Sequence, residues 1–143
     1  NIKLIKQTIE ICKHPALFLV DSIACFGCDR LEMDEWGVDV MVTACQKGLM
    51  TPPGISYCFV NKKALILSEK KDSVSPYWDW KPRIKPKIFY ERFFGTAPTH
   101  HIFGQINAGV RFNFIMIPIH NRYHHLASPC RTIKCNHIIF NGK

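Results

Sequence analysis

Lys47 stands behind the apolar run Val38–Ala44 and just ahead of Pro52-Pro53-Gly54, and Asp21 closes an earlier apolar run, Ala16–Asp21. A lysine in a partly desolvated site is pushed toward its neutral form, because burial disfavours the ammonium, and the free amine then attacks carbonyls to form a Schiff base. The large biological use of that chemistry is pyridoxal phosphate, whose ring works as an electron sink only while its nitrogen stays protonated, which calls for a nearby carboxylate. Asp21 is the candidate carboxylate. Spacing alone leaves plainer readings beside this one: a solvated lysine after a strand, and an Asp capping a helix.

Those two residues need elements that bring them to one place. Residues 2–12 put Ile2, Ile5, Ile9 and Cys12 at helical spacing and predict an amphipathic helix ending near His14-Pro15. The continuous apolar runs at 16–21, 38–44 and 55–60 predict three strands, the first covered on both faces as in a parallel sheet. The short link between the second and third would also suit a local antiparallel pair. Residues 61–71 predict a helix capped by Asn61, and an aromatic, proline-rich loop follows. The succession indicates an α/β layer, and in such sheets ligands collect outside the carboxyl ends of the strands. Asp21 and Lys47 are then expected to face one cleft.

The segment "DSIACFGCDRLEMDEWGVDVMVTACQKGLMTPPG" resembles the class V aminotransferases of fold type I, the serine–glyoxylate and alanine–glyoxylate group. Asp21-Ser22, Met33-Asp34, Trp36-Gly37-Val38-Asp39, Gln46-Lys47-Gly48-Leu49 and Pro52-Pro53-Gly54 carry the likeness, which continues through "SPYWDW" and "FYERFFGTAPTHHIFG" to about residue 104. The resemblance implies an α/β fold, part of the large domain of a fold type I transferase, with a mostly parallel sheet flanked by helices. It implies pyridoxal 5'-phosphate as cofactor, amino-acid and 2-oxo-acid substrates with glyoxylate as acceptor, and a homodimer. Lys47 then matches the Schiff-base lysine, Asp21 the partner of the pyridine nitrogen, and Ile23 the apolar residue on the ring face. Gln46 matches a phosphate ligand, and Thr96 a residue that reaches the neighbouring subunit's phosphate. Compared with the family, residues 1–105 are expected to be a partial cofactor-binding large domain holding half an active site.

Cys45 stands where the family usually has serine, and Cys25 where a small hydroxyl residue is common. A thiol is a weak donor, so these changes bear on a hydrogen bond near the cofactor rather than on the lysine. After "HHIFG" the likeness stops. Residues 106–143 are expected to form a divergent, poorly ordered basic tail. All eleven Asp and Glu lie at or before Glu91, so the net charge of +8 is concentrated beyond it, together with six of the seven histidines.

Other classes fare worse on the sequence. The longest apolar stretches are too short for a membrane helix. Seven cysteines, an odd number, do not form a fully paired disulfide framework and favour a reducing cytoplasm. A zinc module built from Cys25, Cys28, Cys130, Cys135 and His137 would join two pairs about a hundred residues apart. The basic tail is too thin a patch for specific nucleic-acid binding. A catalytically inactive remnant of an aminotransferase is the remaining alternative.

Overall fold

The computed structural model describes residues 1–72, 75–93, 95–108 and 138–142. In chain order the elements are α1 (Ile2–Ile11), β1 (Leu19–Asp21), β2 (Val40–Ala44), β3 (Ile55–Val60), α2 (Lys62–Glu69), α3 (Lys81–Ile84), a 3-10 turn (Phe89–Phe93), α4 (Thr99–Asn107) and β4 (Ile138–Gly142). The strands form one sheet in the order β1-β2-β3-β4. β1 runs parallel to β2, with Asp21 opposite Val42. β2 and β3 are antiparallel, with Thr43 opposite Tyr57, and β3 and β4 are antiparallel too. The α/β expectation is met, with a mixed sheet in place of a mostly parallel one. Ten residues separate β2 from β3, too few for the helical crossover that a parallel return requires. β4 adds a strand from the segment expected to be a poorly ordered tail. Residues 109–137 lie outside the described residues, with Cys130, Cys135, His137 and the His124-His125 pair.

Side-chain alternation along β2 divides two layers. Met41 and Thr43 point to the main core with Phe26, Met33, Tyr57 and Phe59, all 2% exposed or less. Phe26 and Phe59 stack with centroids 5.2 Å apart. Each such side chain contributes about 1.5–3 kcal/mol by leaving water. On the opposite face Val40 and Val60 pack with Ala64 of α2, supported by Leu65, Trp80 and Ile84. That second layer is closest at Val40; in the middle of the strand, on the same face, Val42 is 38% exposed.

The expected burial of the first strand on both faces is not met. β1 is an edge strand of three residues, and Leu19 is 62% exposed. α1 is likewise mostly exposed: Asn1 caps it by accepting from Leu4 N–H at 3.2 Å, and Ile2 is its contact with the main core.

Asp39 fastens the end of the sheet remote from Lys47. Its carboxylate accepts from Phe18 N–H at 2.8 Å and from the Asn61 amide at 2.7 Å, with Lys63 Nζ at 3.5 Å. Asn61 also caps α2 by accepting from Ala64 N–H. One carboxylate thus ties the approach to β1, the start of β2 and the start of α2. Burial pushes the Asp39 carboxyl up, but the Phe18 and Asn61 donors and the Lys6 and Lys63 charges outweigh it, and the net shift is down. Among the described residues, no helix is long and apolar enough to cross a membrane.

Candidate active site

Parallel pairing of β1 with β2 brings their carboxyl ends to the same edge, and the chain leaves that edge through two turns. The first starts at Asp21. Its carboxylate accepts from Ile23 N–H at 2.9 Å, and Ser22 donates both its N–H and its Oγ to Val42 O, each at 2.9 Å. Ser22 thereby extends the β1–β2 pairing and sets where Asp21 stands. The chain then turns back through Phe26 N–H to Ser22 O and Cys28 N–H to Cys25 O.

The second turn carries Lys47. Met50 N–H donates to Lys47 O at 2.8 Å, and Met50 takes a left-handed φ of 53°. Cys45, fully buried, donates its thiol to Pro52 O at 2.9 Å and accepts from Ile55 N–H at 3.4 Å. Thr51 closes the same loop, its N–H and Oγ both donating to Cys45 O at 3.3 and 3.1 Å. The thiol at position 45 therefore keeps a hydrogen bond inside the loop, although it is the weaker donor that the sequence implied.

The two turns pack directly on each other through glycine. A Cβ on Gly48 would sit against Phe26 O inside van der Waals contact, 2.6 Å from Cys28 Sγ and 3.2 Å from Cys28 N. A Cβ on Gly27, at φ +86°, would stand 3.1 Å from Gly48 C and 3.2 Å from Gly48 O. Backbone on backbone leaves little room for the Asp21 turn and the Lys47 turn to shift independently.

Asp21, Gln46 and Lys47 are exposed at this edge, and Ile23 is half-buried beside Asp21. Lys47 itself is exposed, so the partial desolvation expected of it is not met among the described residues. Thr96 is exposed in the loop leading into α4. By register Asp21 shares the face of Val42, which is 38% exposed. A carboxylate, an amine and an amide on one edge, beside the part-exposed Val42, fit the needs of pyridoxal phosphate: a partner for a protonated ring nitrogen, an amine for an aldehyde, and a polar side chain for a phosphate.

Two features could not be read from the sequence: the interlock of Gly27 with Gly48, and the attachment of α4. The latter holds His101 Nε2 at 3.0 Å from Pro53 O and places the buried Gln105 amide on Thr51 Oγ. His101 is thus engaged with backbone. Among the described residues no group of three His, Cys, Asp or Glu is gathered for a metal ion, and Cys25 and Cys28 are both free thiols.

The match to the class V aminotransferases spans residues 1–75, and the chain belongs to that family. It is 42% identical over 65 residues to an L-aspartate–glyoxylate aminotransferase of Paracoccus denitrificans, covering 46% of this chain and 16% of that protein. Over 85 residues it is 35% identical to a serine–glyoxylate aminotransferase of Arabidopsis thaliana, covering 59% and 21%. In fold it is similar to the crystal structure of alanine–glyoxylate aminotransferase from Nostoc sp., with a TM-score of 0.66 at 23% identity, covering 76% of this chain and 29% of that one. The chain therefore spans about a fifth of the length of these two relatives.

Proposed function

We propose that this chain carries the lysine half of a pyridoxal-phosphate aminotransferase site, which moves an amino group from a serine-, alanine- or similar donor to glyoxylate or another small 2-oxo acid. The shared carboxyl edge of β1 and β2, with Asp21 and Lys47 on turns locked through Gly27 and Gly48, carries this reading. The cofactor, when bound, supplies an electron sink that makes the substrate's α-proton removable. Lys47 Nζ would hold the cofactor through its aldehyde group, and the same amine, when free, would move a proton at the substrate's α-carbon. Asp21 keeps the ring nitrogen protonated through charge and hydrogen bonding. Ile23 packs on the ring face, and Gln46 donates to the phosphate. Thr96 reaches the phosphate held by the second subunit of a homodimer. Residues 1–105 form the cofactor-binding part and 106–143 a divergent addition. The free thiols of Cys12, Cys25, Cys28 and Cys45 support a reducing compartment such as the cytoplasm.

The test is a titration of the 143-residue chain with pyridoxal phosphate, followed by the visible absorption of the lysine-bound form. Saturable colour that Lys47→Ala abolishes and Lys63→Ala leaves intact supports the assignment. No colour in the unsubstituted chain identifies an inactive remnant, and colour equal in all three proteins refutes the role of Lys47.

A further inference from the structure

The loop that carries Lys47 is held from outside by a helix that begins about fifty residues later. Gln105, 4% exposed on α4, donates its amide to Thr51 Oγ. The Thr51 hydroxyl already donates to Cys45 O, so toward Gln105 it acts as an acceptor, and this fixes the orientation of the Gln105 amide. One turn earlier on the same helix, His101 Nε2 meets Pro53 O at 3.0 Å, and its ring fills the space beside Gly54, where a Cβ would stand 2.9 Å from His101 Cδ2. Both contacts fall on Thr51–Gly54, the returning limb of the Lys47 loop.

Gln105 gains little from its place otherwise. Its Oε1 is buried with no hydrogen-bond partner among the described residues, and an unpaired buried carbonyl costs free energy that a leucine there would not. A polar side chain kept at a net cost to stability, and bonded to the loop that carries the reactive amine, points to positioning rather than packing.

We propose that Gln105, with His101 beside it, is a positioning residue for Lys47: it acts through Thr51 and Cys45 O to hold the loop in the shape that presents the amine. This rests on the reading of Lys47 as the cofactor amine. Rigid support of this kind matters because displacement by about 1 Å is enough to lose most of a reaction rate.

The test compares the full chain with Gln105→Leu, Thr51→Ser, Thr51→Val and the double variant Gln105→Leu/Thr51→Val. Amide hydrogen exchange at Met50 and Thr51, the unfolding midpoint, and the dissociation constant for pyridoxal phosphate are measured. Gln105→Leu is expected to unfold no earlier than the unsubstituted chain, yet to exchange these amides about fivefold faster and to bind the cofactor more weakly by a similar factor. Thr51→Ser should retain the original values. Thr51→Val should reproduce the Gln105→Leu losses, and the double variant should be no worse than either single. Unchanged exchange and affinity in Gln105→Leu overturn the proposal, as does a loss that tracks a lowered unfolding midpoint. A chain that takes up no cofactor at all refutes the proposed function instead, and the exchange rates alone then decide whether Gln105 holds the loop.

Discussion

Gly48→Ala tests whether the Asp21 and Lys47 turns form one rigid unit. The added methyl would meet Phe26 O at well under contact distance and Cys28 Sγ at 2.6 Å. Relaxed carbon contacts lie near 3.5–4.0 Å, so the two turns must separate by about 1 Å. The thiol can rotate away, but Phe26 O cannot, because the turn behind it is fixed by Ser22 and by the fully buried Phe26 ring. Overpacking against such surroundings costs about 1–3 kcal/mol, and the upper part of that range applies where backbone has to move. At about 4 °C per kcal/mol for a chain of this size, the unfolding midpoint should fall by roughly 8–12 °C. Differential scanning calorimetry reads the fall, and the same protein should bind pyridoxal phosphate at least tenfold more weakly. A Gly48→Ala protein with an unchanged midpoint would show that the turns are free to part, and the geometric argument for a shared site would fail with it.

Three further outcomes follow from the same structure. Gly104→Ala, at a helical position with nothing within 4 Å of the new Cβ, should raise stability by about 0.5–1 kcal/mol in urea unfolding. Asp39→Ala leaves the Phe18 and Asn61 donors without their acceptor and should cost about 2–4 kcal/mol. Because the folded-state pKa of Asp39 is lowered, its contribution is complete above about pH 4 and is lost as pH falls through the lower folded value; Asp39→Asn should flatten that part of the acid unfolding curve. Burial, followed by the effect of Cys45, pushes the Tyr57 phenol up, so the neutral form favours folding and stability declines as pH rises above about 10. Ultraviolet titration should show a tyrosine that ionises only on unfolding, and that is absent in Tyr57→Phe.

Much of this arrangement was legible in the sequence where a local rule applies. Asn61 was identified as a cap because its residue type and the helix after it are adjacent in the chain. The runs around Met41 and Phe59 read as strands because β-branched and aromatic residues favour a pleated, packed surface. The exposure of β1 was not legible: the apolar run Ala16–Val20 fixes a tendency to be covered, whereas its covering depends on which elements lie across it. The interlock of Gly27 with Gly48 was hidden for a similar reason, since each glycine looks like an ordinary turn residue until the turns are placed together. Gln105 carried no signal, because a single amide on a helix shows nothing of its partner fifty residues away. At the candidate site, the family likeness supplied the roles and the register supplied the common edge. Lys47 and Asp21 lie in a contiguous stretch of chain, but only the parallel pairing of β1 with β2 puts both at one end of the sheet.

The most direct measurement is peptide mapping after the chain has been incubated with pyridoxal phosphate and reduced with borohydride, in the unsubstituted protein and in Asp21→Ala. Label concentrated on Lys47, and reduced about tenfold or more when the Asp21 carboxylate is removed, is the expected result. Label spread over the surface lysines without preference for Lys47, or label on Lys47 indifferent to Asp21, would contradict the account.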